Sequence, residues 1–222
     1  MELKGVSIIF ENEDFIAVNK SAGMLTIPDR HDETPLSLYK ILTGKYGKIF
    51  IVHRLDKITS GVMVFARDAE IHRALNIQFE NHEAQKTYHA ILEGNPKWEE
   101  KVAKHPLRVN VGHKHRTMVD DRNGKPSETR FRVMKRYQES ALVEAKPMTG
   151  RTHQIRVHAY ALGHPLVEDL LYGARDRYGI PRPMLHAQSL SFTHPVSNEK
   201  VKFSAPHPAD FEEALKILGA AY

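Results

Sequence analysis

The chain has 222 residues, 41% of them hydrophobic and 27% charged, enough for a buried core in one large domain or two small lobes. It contains no cysteine, which excludes disulfides, thiolate metal sites and a cysteine nucleophile. No apolar run approaches the roughly 18 residues of a membrane helix. Met1-Glu2-Leu3-Lys4-Gly5 lacks the basic start and long apolar core of a signal peptide, so a cytoplasmic location is expected.

In chain order, residues 7–10 and 14–19 read as short strands, Lys20-Ser21-Ala22-Gly23 as a turn, and 24–27 as a further strand ended by Pro28. Thr34-Pro35 marks a helix start, with Leu38, Ile41 and Leu42 on its buried face. Residues 62–66 form a strand that feeds a helix near Asp68, with Ile71, Leu75 and Phe79 on its inner face. Residues 87–92 are strand-like. Weak strands follow, with a turn signal at Asn123-Gly124.

Thr129, Phe131 and Val133 alternate with Arg130, Arg132 and Met134, which predicts a strand with one apolar and one basic face. Residues 141–145 also alternate, and 153–162 read as a helix stopped by Gly163 and Pro165. Late strands at 184–192 and 201–204 and a helix at 209–218 complete the chain. The expected fold is α+β in a single domain over residues 1–222: a mixed, mostly antiparallel central sheet flanked by helices and loops.

The net charge of +5 is unevenly placed. From Lys97 to Arg136 there are 12 Lys and Arg against 5 Asp and Glu, whereas the remainder is slightly acidic. Such segregation is the footprint of a polyanionic partner, which for a cytosolic protein points to nucleic acid. Arg108, Lys114, Arg116, Arg130 and Arg132 are the candidate backbone-phosphate contacts. His113 and His115 have no carboxylate or thiolate companion at zinc-like spacing, so no metal is expected.

The densest chemistry lies in His53-Arg54-Leu55-Asp56-Lys57-Ile58-Thr59-Ser60-Gly61, between the apolar runs 49–52 and 62–66. Charged groups between strand-like runs fall at strand ends, where catalytic side chains are often held. An ionised, oriented carboxylate at Asp56 serves as nucleophile or base. Taken alone, Arg54 and Asp56 read as an ion pair closing a hairpin.

Four segments occur in an informative order: Asp14-Phe15-Ile16-Ala17-Val18-Asn19-Lys20; His53-Arg54-Leu55-Asp56 with Thr59-Ser60-Gly61; Lys86-Thr87-Tyr88-His89-Ala90; and Gly150-Arg151-Thr152-His153-Gln154-Ile155-Arg156-Val157-His158. The last continues into Gly163-His164-Pro165-Leu166 and Asp169-Leu170-Leu171-Tyr172-Gly173. Together they resemble the RluA family of RNA pseudouridine synthases, in the short form without an N-terminal S4-type RNA-binding domain. Ser21 and Glu168 depart from the family pattern, which often has Pro and Gly there.

The resemblance implies an isomerase that converts uridine to pseudouridine in a tRNA anticodon stem-loop, a large-subunit rRNA hairpin, or both, after flipping the base. No cofactor is needed. Asp56 is the implied essential carboxylate, either attacking the ribose or removing a sugar proton. Tyr88 stacks on the base, and Arg156 pairs with Asp56. Leu185 is the pocket floor, Arg54 fills the space the base vacates, and His53, Arg151 and His153 complete the substrate-binding set. A monomer is expected. A catalytically inactive RNA-binding factor is the competing reading, and it would require loss of the carboxylate at position 56. A small-substrate hydrolase would need a second carboxylate beside Asp56 and leaves the basic segment unexplained.

Overall fold

A computed structural model describes residues 2–3, 6–29, 36–112 and 116–220. Contacts divide the chain, treated above as one domain, into two compact units: Met1–Lys86 with Ala187–Pro206, and Thr87–His186 with His207–Tyr222. The described elements run β1 (Glu2–Leu3), β2 (Val6–Glu11), β3 (Phe15–Lys20), α1 (Leu38–Tyr46), β4 (Phe50–Ile51), β5 (Ser60–Ala66), α2 (Ala69–Glu80) and β6 (Gln85–Glu93). Then come β7 (Glu100–Ala103), β8 (Leu107–Val111), β9 (Arg116–Val119), β10 (Thr129–Arg136), β11 (Ser140–Pro147) and α3 (Gln154–Ala161). A 3-10 turn (Leu170–Tyr172), β12 (Leu185–Thr193), β13 (Lys200–Ser204) and α4 (Ala209–Ala220) close the chain.

In the first unit the strands run in the order β1-β2-β3-β5-β12, with β13 on β12 and β4 on β5. Every pair whose register is described is antiparallel. Phe15, Ala17, Val62, Val64 and Ala66 project from the strands against Ile71 and Leu75 of α2 and against Leu190, Phe192 and Phe203. Asp68 caps α2 by accepting from the backbone N–H groups of Glu70 and Ile71, so the helix starts where the sequence predicts. At Gly61 an added Cβ would lie 2.1 Å from the carbonyl oxygen of Ala187, so the start of β5 admits only glycine.

Thr34 and Pro35 lie outside the described residues, and α1 begins at Leu38 with Ser37 as its cap. The strand expected at 24–27 is absent apart from a single bridge between Leu25 and Ser37. Its carbonyls are used elsewhere: Leu25 and Thr26 accept from the N–H groups of Leu38 and Tyr39, the orphan donors of the first turn of α1.

In the second unit the order is β6-β11-β10-β7, again antiparallel, with β8 and β9 as a separate hairpin. Its cores lie on opposite faces of these strands. Ala90, Leu92, Phe131, Val143 and Ala145 pack with Ile155 and Ala159 of α3. Ile91 and Leu142 pack with Phe211, Ala214 and Leu218 of α4.

Candidate active site

Asp56 lies half-buried on the loop between β4 and β5. The loop is held through its main chain. Thr26 Oγ1 donates to the carbonyl of Leu55 at 2.9 Å and accepts from its N–H at 3.3 Å. Thr59 N–H closes back on the carbonyl of Asp56 at 3.0 Å.

The carbonyl of Lys57 accepts from Gly23 N–H and from the ammonium of Lys20. Lys20 is fully buried, and its ammonium also donates to the carbonyls of Ser21 and Met24. An ammonium has three protons to give, and three carbonyls receive them.

His53 Nε2 accepts from Val64 N–H at 3.1 Å, and its ring stacks on Phe79. Burial, aided by the nearby Lys86 cation, pushes its pKa down to about 3. His53 is therefore a neutral structural acceptor. Leu55 is buried while Arg54 and Lys57 are exposed, so anchoring and presented residues interleave along the loop.

In the second unit, Tyr88 on β6 packs against the cluster that contains Leu185 and Ile155, which brings two of the implied pocket residues to the α3 side of the strands. Arg156 is 5% exposed, and Nε and Nη2 each lie 2.7 Å from a carboxylate oxygen of the fully buried Asp169. These two donors make a bidentate bond to Asp169, a partner the sequence reading did not name. A planar guanidinium fork matches a carboxylate in this way. The ring of Tyr172 lies 4.9 Å from the Arg156 guanidinium carbon.

The turn before α3 is organised by buried Gln154. Its Oε1 accepts from Thr149 Oγ1 and Arg151 N–H, and its Nε2 donates to the Glu128 carbonyl and Thr129 Oγ1. Arg151 Nε is buried without a hydrogen-bond partner among the described residues. His153 takes a left-handed conformation, φ 54°, with Nδ1 2.9 Å from the Tyr172 hydroxyl. His158 bridges Thr129 Oγ1 and the His105 carbonyl, and burial lowers its pKa.

The basic residues divide. Cross-strand register aligns Tyr88 with Ala145 and Phe131 but His89 with Glu144 and Arg132. Arg130 and Arg132 therefore face away from Tyr88, on the α4 side, and bond to Glu128 and Glu144. Arg108 pairs with Asp120, and Arg116 is exposed on β9. Lys114 lies outside the described residues. No cluster of three or more metal-ligating side chains occurs among the described residues.

Sequence reasoning missed the roles of Lys20, Gln154 and Asp169, although each lies in a quoted motif. A lysine ending an apolar strand and an aspartate thirteen residues beyond Arg156 were the available signals. Glu168, where the family often has Gly, has φ 60°, which explains the family preference.

Residues 14–161 match the RNA pseudouridylate synthase family. The chain belongs to that family. It is an RNA pseudouridine synthase, an isomerase of RNA uridine. The synthase is 37% identical over 206 residues to the dual-specificity RNA pseudouridine synthase RluA of Escherichia coli, covering 92% of this chain and 93% of the relative. It is 37% identical over 225 residues to the ribosomal large subunit pseudouridine synthase C of Vibrio cholerae, covering 96% of this chain and 70% of the relative. The solved structure of human RNA pseudouridylate synthase domain containing 1 matches with a TM-score of 0.77 at 32% identity, covering 94% of this chain and 86% of that one.

Proposed function

We propose that the synthase modifies a uridine in a stem-loop of tRNA, of large-subunit rRNA, or both, with Asp56 as the reactive carboxylate. The likeness to a dual-specificity enzyme, covering 92% of this chain and 93% of that relative, supports the choice of RNA. The observation that carries the Asp56 assignment is the clamp on its loop. Thr26, Lys20 and Gly23 hold the main chain on either side of Asp56, which fixes the position from which the carboxylate acts.

The reaction breaks the bond between N1 of the base and C1′ of the ribose, rotates the base, joins C5 to C1′ and releases the C5 proton. Asp56 assists departure of the base. Tyr88 offers its ring for stacking and Leu185 an apolar floor. Arg156 is the active-site arginine. Flipping a uridine out of a loop costs a few kcal/mol, and the exposed Arg54 has the length to fill the vacated stack. Arg151 Nε gives a phosphate or ribose oxygen a donor.

The test is wild type against Asp56→Ala on stem-loop RNAs, with pseudouridine measured by mass spectrometry and affinity by filter binding. The variant is expected to bind within about threefold of wild type and to form no product. Turnover by the variant removes Asp56 from the chemistry. In cells, an unchanged pseudouridine map of tRNA and rRNA after gene deletion rejects both targets.

A further inference from the structure

We propose that Tyr172 is a positioning residue whose hydroxyl joins the β8–β9 hairpin to the helix that carries Arg156. The proposal rests on the active-site role of Arg156 given above. Four contacts of one side chain carry it. The N–H of Thr117 on β9 donates to the Tyr172 hydroxyl at 3.0 Å. His153, immediately before α3, places Nδ1 2.9 Å from the same oxygen. The Tyr172 ring lies beneath the Arg156 guanidinium. Leu107 of β8 and Val157 of α3 pack with the ring in one small cluster.

One oxygen serves both bonds. The hydroxyl oxygen accepts from Thr117 N–H and shares a hydrogen bond with His153 Nδ1. That bond helps hold His153 in its left-handed backbone conformation, which a non-glycine residue keeps only where its surroundings enforce it. Three residues before Arg156 in sequence, that backbone sets where α3 begins.

The hairpin has reason to move with RNA. It presents Arg116 and the exposed apolar side chains of Val109 and Met118 to solvent. The Thr117 N–H points to Tyr172, so the hairpin and the arginine helix share one hydroxyl. Binding of a polyanion on the hairpin is thus passed to the orientation of Arg156, while Asp169 supplies its charge balance.

Tyr172→Phe keeps the ring, its packing and its place beneath Arg156, and removes only the joint. Thr117→Pro removes the same bond from the other side without touching the tyrosine. Single-turnover rates on saturating stem-loop RNA are expected to fall about tenfold in both variants, because small misplacements of catalytic groups carry costs of that order. Kd for RNA is expected to stay within about twofold. A wild-type rate in either variant overturns the proposal. So does a parallel loss of rate, affinity and melting temperature, which marks Tyr172 as structural only. Wild type that forms no pseudouridine on any stem-loop instead rejects the functional reading, independently of Tyr172.

Discussion

The Asp56 loop and the Arg156 helix show different kinds of anchorage. In the first unit, Lys20, Thr26 and Gly23 grip backbone carbonyls and N–H groups around Asp56. In the second unit, Arg156 is gripped by its own guanidinium, between the Asp169 carboxylate and the Tyr172 ring. The carboxylate proposed to react is carried on a loop whose main chain is fixed at several points. An arginine that acts as a fixed charge is best held at the charge itself. Substitutions in the two places should therefore have different effects.

The largest difference is expected on folding. Asp169→Asn removes the bidentate carboxylate from a buried guanidinium, which costs about 3–5 kcal/mol. Urea melts should show that loss. Arg156→Met combined with Asp169→Leu should regain most of it, because replacing both buried charges by apolar groups is close to neutral. Asp56→Asn, whose loop is held by main-chain bonds, should cost far less than Asp169→Asn. Equal losses at the two aspartates would erase the contrast.

Acid offers a second way to separate the regions. His53 in the first unit is held down to about 3 by burial. In the second unit His89 is held down to about 4, mainly by burial and then by His207, and burial also lowers His158. Each folded value lies below the unfolded value near 6.5. The unfolded chain therefore takes up protons first as the pH falls, so stability is complete above about pH 6.5 and declines from there towards pH 3. The slope is at most about 1.4 kcal/mol per pH unit for each histidine. With two depressed histidines against one, the second unit should lose amide protection first in hydrogen exchange between pH 6.5 and 4.5. Earlier loss in the first unit would contradict this.

Much of the architecture was legible because local signals agreed with tertiary packing. The helix start near Asp68, the Ile71 and Leu75 stripe and the alternation through Phe131 all recur as read. What was not legible depended on partners distant in sequence. Residues 24–27 have strand-like composition, but their carbonyls are taken by the first turn of α1. Asp169 pairs with Arg156 across a turn that propensity does not specify. Lys20 looks like an exposed strand end until the carbonyls of Ser21, Met24 and Lys57 are brought to it. The two compact units follow from which strands pair, and composition carries no trace of that division.

The smallest effect concerns the basic strand, where alternation predicted phosphate contacts at Arg130 and Arg132. Register puts both on the face opposite Tyr88, and each is bonded to a glutamate. An exposed pair of this kind contributes roughly 0–1 kcal/mol to stability, and its cation is already partly neutralised toward RNA. The double variant Arg130→Gln, Arg132→Gln should leave Kd for stem-loop RNA within about twofold and the salt dependence of binding unchanged. Arg116→Gln, on the exposed hairpin, should lower the salt slope by about one, as expected for one lost phosphate contact. If the double variant lowers the slope by about two instead, RNA reaches the α4 side of the second unit, and charge segregation was a better guide than strand register.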